Sequence, residues 1–262
     1  MRKRFKSVIL LLISSLMFIQ YAAAQHRKVP NLKNFDLAPY HFGFELGLNQ
    51  MLFTIKTNPG FAQKKYYNID GLKYQMPDLN SDSAQIYSIE GIPTFGFVVG
   101  LIGNLRLTEH SDLRFTPNLT FGERRLVYNF YSWYDGQDPV LMSKTKGIQS
   151  TFVEFPLYLK YKGDRIHNIR PYVLVGAKYA IDVSSNAKKK DSETNRHVFL
   201  NRNDIYADLG AGFDVYTAYF KFGTEIHMSY GIRNVLKDDG TIYTDGIKGI
   251  NSKLFEIMFT FE

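Results

Sequence analysis

From about residue 40 onward, apolar and polar residues alternate one by one. In HFGFELGLNQML, residues 41–52, Phe42, Phe44, Leu46 and Leu48 fall on one side of an extended chain, and Gly43, Glu45, Gly47 and Asn49 fall on the other. Successive side chains of a strand point to opposite faces, so this pattern reads as a strand with one oily and one polar surface. The same period recurs. Leu113, Phe115, Leu119 and Phe121 oppose Arg114, Thr116, Asn118 and Thr120; Val153, Phe155, Leu157 and Leu159 oppose Glu154, Pro156, Tyr158 and Lys160; Leu209, Ala211, Phe213 and Val215 oppose Asp208, Gly210, Gly212 and Asp214. Farther on, Ile226, Met228 and Tyr230 oppose Glu225, His227 and Ser229, and Phe255, Ile257, Phe259 and Phe261 oppose Glu256, Met258 and Thr260. The pattern predicts eight strands, at about 41–55, 92–107, 113–131, 151–161, 170–183, 205–216, 219–234 and 253–261, with no amphipathic helix.

Soluble sandwiches alternate in the same way, so the connections decide between the two classes. Long connections (56–91, 132–150, 184–204, 235–252) take turns with short ones (TEHSD, KGDRIHN and TA). In an up-and-down meander this places every long loop at one end and both termini at the other, the layout of a bacterial outer-membrane barrel with long outer loops and tight periplasmic turns. The fold class predicted is all-β: an up-and-down antiparallel transmembrane β-barrel of eight strands. About ten tilted residues climb roughly 25 Å, the height of the lipid-facing band. Tyr40, Tyr128, Tyr131, Trp133, Tyr134, Tyr161, Tyr179, Tyr216 and Tyr230 stand near strand ends and are candidate girdle residues for the headgroup layer. An eight-stranded barrel is just wide enough for side chains to fill, so no open diffusion pore is expected.

The start of the chain is of a different kind. A basic stretch to Lys6, an apolar run over 7–21 and the small residues AAA before Gln25 predict a secretory signal peptide, 1–24. Residues 25–39, punctuated by Pro30 and Pro39, are predicted as an extended periplasmic tail, and 40–262 as the barrel domain. The formal charge of +7 is mostly a property of this leader: without Arg2, Lys3, Arg4 and Lys6, 28 bases stand against 25 acids, a net of +3. No basic face for nucleic acid emerges, because the one lysine cluster, AKKKDSET at 187–194, is diluted by acids and hydroxyls and reads as a solvated loop. The absence of cysteine excludes both disulfide stapling and lipidation of an N-terminal cysteine.

Candidate chemistry lies on the inward face. His41, Glu45, Glu154, Asp208, Asp214, Glu225, His227, Ser229 and Glu256 all point into the lumen in this register. EIHMS sets Glu225, His227 and Ser229 on one face and is the sharpest catalytic suggestion. Residues two apart in a strand are nearly 7 Å apart at the backbone, however, which a serine–histidine–acid relay does not span directly. The reading carried forward is a polar plug in which these groups pair with Arg114, Lys160, Lys178 and Lys221, since unpaired buried charges are costly. No catalytic, cofactor-binding or metal-binding residue is assigned: six scattered histidines show no ligand spacing. Gly210 and Gly212 are expected as small residues facing a crowded lumen, and PDLNSDSAQ, 77–85, as an exposed loop.

PYHFGFELGLNQMLFTIK after a VPNL tail, then VEFPLYLKYKG, RPYVLVGAKYAID and DLGAGFDV, resembles the PorT family of Bacteroidota outer-membrane β-barrels. The likeness spreads over most of the chain beyond the leader and is least recognisable in the four loops; 39–56 points most narrowly to PorT. The resemblance implies a part in the type IX secretion system, which exports proteins with a C-terminal sorting domain and is tied to gliding motility. It implies no catalytic motif and no cofactor. The expected partners are outer-membrane lipid, other type IX components and, through a C-terminal signal like Phe259–Phe261, the barrel-insertion machinery; Glu262 departs from the commonest form of that signal. The alternatives are a structural or ligand-binding barrel with no secretion role, and an outer-membrane hydrolase.

Overall fold

The computed structural model describes residues 30–68, 79–184, 200–238 and 240–262. The leader expected at 1–24 and the lysine cluster at 187–194 lie outside the described residues. Among the described residues eleven strands form one antiparallel sheet: β1 (Tyr40–Thr57), β2 (Lys65–Tyr67), β3 (Ser83–Ile92), β4 (Thr94–Arg106), β5 (Ser111–Phe115), β6 (Asn118–Trp133), β7 (Val140–Lys162), β8 (Ile169–Asp182), β9 (Asn203–Tyr216), β10 (Lys221–Gly231) and β11 (Ile247–Phe261). β1 pairs with β11 from Phe44↔Phe261 to Thr57↔Ile247 and, on its other edge, with β4 from Tyr40↔Leu105 to Met51↔Thr94. From β11 the pairing runs through β10, β9, β8 and β7, then through β5 and β6 to β4, and so back to β1.

Two pairs of strands are halves of single staves. β3 and β4 are separated by Pro93, and β5 and β6 by Thr116 and Pro117. The second break occurs where it costs little: Leu101 N–H donates to the Pro117 carbonyl at 3.0 Å and Thr116 N–H to that of Pro156 at 3.2 Å. Proline, which has no N–H to give, is tolerated at such an interruption.

The strand boundaries differ from expectation at the long-loop end. The segment 132–150 is not a loop; β6 and β7 continue as a hairpin paired as far as Ser132↔Val140, leaving only 134–139 as the turn. Ser143, Lys144, Thr145 and Lys146 carry no apolar signal; the apolar inward face of this hairpin comes from Leu126, Tyr128 and Phe130 of β6. β3 likewise begins at Ser83 and pairs with β6, with a register shift between Ile86 and Ser88 that reverses the phase of the alternation and hides the strand from a period-two reading. The described part of 77–85 is therefore not an exposed loop: Leu79, Ser81 and Ser83 are buried.

The outward face is apolar in the barrel wall. Phe42, Phe95, Leu101, Leu209 and Ile226 are each more than half exposed. Inside, the molecule is divided. At the long-loop end, Phe53, Ile86, Tyr128, Phe130, Ile242, Tyr243 and Ile250 form an apolar core under a short helix, Ile242–Asp245. Tyr128, expected in the girdle, is buried here, edge-on to Tyr243 at 5.0 Å. Tyr216 is also buried, facing into the short-turn mouth. Both lie on the inward phase of their strands, so proximity to a strand end did not place them in the headgroup layer. Tyr40 and Tyr161 do face outward.

Candidate functional site

Between the apolar core and the short-turn end the lumen holds charged side chains stacked in tiers. Glu45, Glu154, Asp208, Asp214, Glu225, His227, Ser229 and Glu256 are all buried, as the alternation predicts. The four predicted cations meet them. Lys178 Nζ lies 2.8 Å from Glu256, 3.2 Å from Glu154 and 3.5 Å from Asp208. Lys160 pairs with Asp214 at 2.9 Å and sits 3.5 Å from the centre of the Tyr172 ring. Arg114 forks, one nitrogen to Glu225 and the other to Glu262 at 2.6 Å. Lys221 reaches Glu262 at 3.1 Å. His41 is not in this set; it stands half-buried at the mouth, stacked on Phe35.

The serine, histidine and acid of the EIHMS stretch do come together, but not as a relay. His227 Nδ1 is 3.2 Å from Asp208 and Nε2 is 2.8 Å from Glu225, so neither ring nitrogen is left to take a proton from serine. Ser229 Oγ instead donates to Asp208 at 2.5 Å. Asp208 also accepts from Tyr158 OH at 3.1 Å. A nucleophile needs its base within hydrogen-bonding reach and a substrate beside it. Here the base is held between two acids and the hydroxyl is fully buried. Beside the group, a cavity of about 10 Å³ bounded by Glu45, Asn118, Glu225, His227 and Glu256 has room for about one water. Among the described residues no group of three or more histidines or acids is arranged to hold a metal ion.

The glycines of the inward face make this packing feasible. A Cβ on Gly210 would lie 2.9 Å from the His227 ring, and one on Gly212 would lie 2.5 Å from the Thr224 carbonyl oxygen and 3.0 Å from the Tyr172 ring. Both positions require close approach rather than unusual backbone angles.

A family model described as the outer membrane protein beta-barrel domain matches residues 23–237. The chain belongs to that family. No curated protein matches it. Among solved structures it is similar to the crystal structure of the outer membrane protein OprG from Pseudomonas aeruginosa, with 10% identity and a TM-score of 0.41, over 84% of this chain and 93% of that one. In this outer membrane barrel the exposed oily face of β1, β4 and β8–β10 meets lipid, and the glycine-rich, charged face is the lumen.

Several members of the network escaped the sequence reading. Glu262, noted there only as a departure from a terminal signal, bridges Arg114 and Lys221 with its side chain fully buried. The alternation of β11, carried one residue past the outward Phe261, would have placed it inside. Asp112 pairs with Lys162 at 2.6 Å, and both sit at strand ends where alternation is short. Arg124 closes the upper tier: it donates to Ser150 at 2.6 Å, lies 3.3 Å from Asp182, and is held 4.8 Å and 5.0 Å from the rings of Phe53 and Phe152. It follows the outward-facing Glu123 in a run of three charges; the inward phase of Asn118 and Thr120, carried on through Gly122, would have placed it inside.

Proposed function

We propose that this outer membrane barrel is a non-enzymatic, PorT-like component required for export through the type IX secretion system of Bacteroidota, and so linked to gliding motility. The observation that carries the reading is the PorT-like sequence of 39–56, with the strand motifs VEFPLYLKYKG and DLGAGFDV behind it. Family membership supports the location, and a lumen filled by ion pairs supports a role in interaction rather than passage of solutes. On this reading the chain is exported by a cleaved signal peptide, 1–24, and inserted by the barrel-assembly machinery. It then contacts other secretion components through its long loops or its N-terminal segment; nucleic acid is not a partner. The test is deletion of the gene in its host, followed by comparison of supernatant, cell surface and periplasm. Proteins bearing the C-terminal sorting domain should stall in the periplasm and return to the surface on complementation. Unchanged export with the barrel still in the membrane would refute the secretion role. The same filled lumen favours, as a second reading, a barrel that braces the envelope; it predicts envelope sensitivity without a cargo-specific block.

A further inference from the structure

The described part of the segment expected as an extended tail, residues 30–38, does not trail away from the barrel but crosses its short-turn mouth. Phe35 begins a single 3-10 turn, Phe35–Leu37, and lies flat on the His41 ring, with centroids 4.1 Å apart and planes 9° apart. The Tyr216 ring meets Phe35 edge-on at 6.4 Å, and Lys221 Nζ lies 4.9 Å from the Phe35 ring centre. The Asp36 carboxylate accepts from Tyr216 OH at 2.9 and 2.8 Å and pairs with Arg170 at 3.2 Å. Side chains of the barrel hold the strap's carbonyls as well: Arg165 donates to those of Asn31 and Leu32, and Arg106 to that of Leu37 at 3.2 Å.

This is how a barrel would hold a peptide, rather than how a strand end is folded in. No residue of the strap's turn is buried, Leu37 is 63% exposed and Leu32 is only partly buried, so core burial does not keep the strap in place. The receiving side is organised without it. Arg170 is fixed by donating to the carbonyls of Gly163 at 2.8 Å and Glu109 at 2.9 Å, and Lys221 by its pair with Glu262. Recognition therefore rests on one aromatic ring, one carboxylate, a few backbone acceptors and Asn31, which donates to Asn168 Oδ1 at 2.9 Å and to the Tyr216 carbonyl at 3.0 Å, all presented to a cationic and aromatic cradle.

We infer that the short-turn mouth is a binding site for a peptide segment bearing a phenylalanine–aspartate pair, and that residues 30–38 are its tethered occupant. A ligand attached to its own receptor acts at a high effective concentration, on the order of millimolar for a short flexible link. A segment of similar chemistry on another protein enters only when the strap is weakened or displaced. This inference does not depend on the secretion reading.

The test uses the full chain in detergent micelles and a fluorescent synthetic peptide of residues 30–38, followed by anisotropy. Wild-type protein, with its cradle filled, should bind the peptide poorly. The strap variant Phe35→Ala/Asp36→Ala should bind it at least about tenfold more tightly. That binding should fall about tenfold or more on adding Tyr216→Phe or Arg170→Ala, and should fail for a peptide with alanine in place of its phenylalanine. Heat-modifiable migration shows that each variant remains a barrel, and Tyr216→Phe, which removes only a hydroxyl, serves if Arg170→Ala does not fold. Equal binding by wild type and strap variant, or binding indifferent to Tyr216, would overturn the inference.

Discussion

Lys178 is the cation on which the middle tier of the lumen depends. Among the described residues it is the only one within 4.0 Å of either Glu154 or Glu256, whereas Asp208 keeps His227, Tyr158 and Ser229 if the lysine is lost. Its side chain is 1% exposed, and those of Glu154 and Glu256 are 0% and 4% exposed, so water does not replace it. Lys178→Met keeps most of the volume and strands two facing carboxylates. Removing one partner of a buried pair costs about 3–5 kcal/mol, because the charge left behind is desolvated without compensation. For a domain of this size each kcal/mol moves the midpoint by about 2–4 °C, so the variant should unfold about 6–20 °C below wild type. The readout is the temperature at which the heat-modifiable band is lost on unheated gels, supported by urea midpoints in lipid vesicles. The triple variant Lys178→Met/Glu154→Gln/Glu256→Gln, which removes all three charges, should recover most of the loss, since replacing a buried ion pair whole is often nearly neutral. Lys56→Met, at an exposed position, should move the midpoint by no more than about 2 °C. A single variant as stable as this control, or a triple variant as unstable as the single, would refute the account of the network.

Three further outcomes follow from the same geometry. Leu48→Arg, on the outward face of β1, should cost about 2–4 kcal/mol in vesicles and much less in detergent, whose micelle adapts to the charge; equal cost in both would count against that face meeting lipid. Gly210→Val should displace the His227 ring and lower the unfolding midpoint by several degrees, with a partial return when His227→Ala makes room, a coupling read from the double-mutant cycle. Phe130→Ala empties part of the apolar core above the ion pairs at a cost of about 3–5 kcal/mol, and limited proteolysis should then cut the long-loop end while the strands below stay resistant.

The sequence by itself determined the wall. A period of two specifies which side of every strand faces out, and a slip of one residue would turn each oily face inward, so Phe44, Leu159, Leu209 and Ile257 declared their surroundings without any knowledge of their neighbours. It also named six of the lumenal acids and four of the cations that meet them, because inward phase is a local property. Which acid meets which cation was not local: Arg114 and Glu225 are 111 residues apart, and Glu262 joins them only because β11 ends beside β10 and the β5 stave lies across the lumen. The tertiary structure alone turned a serine–histidine–acid spacing into a satisfied ionic cluster, drew Tyr128 and Tyr243 into an apolar core above it, and laid Phe35 and Asp36 across the mouth. Those features depend on where the ring of strands brings distant side chains to face one another in a narrow lumen, and no alternation along the chain records that meeting.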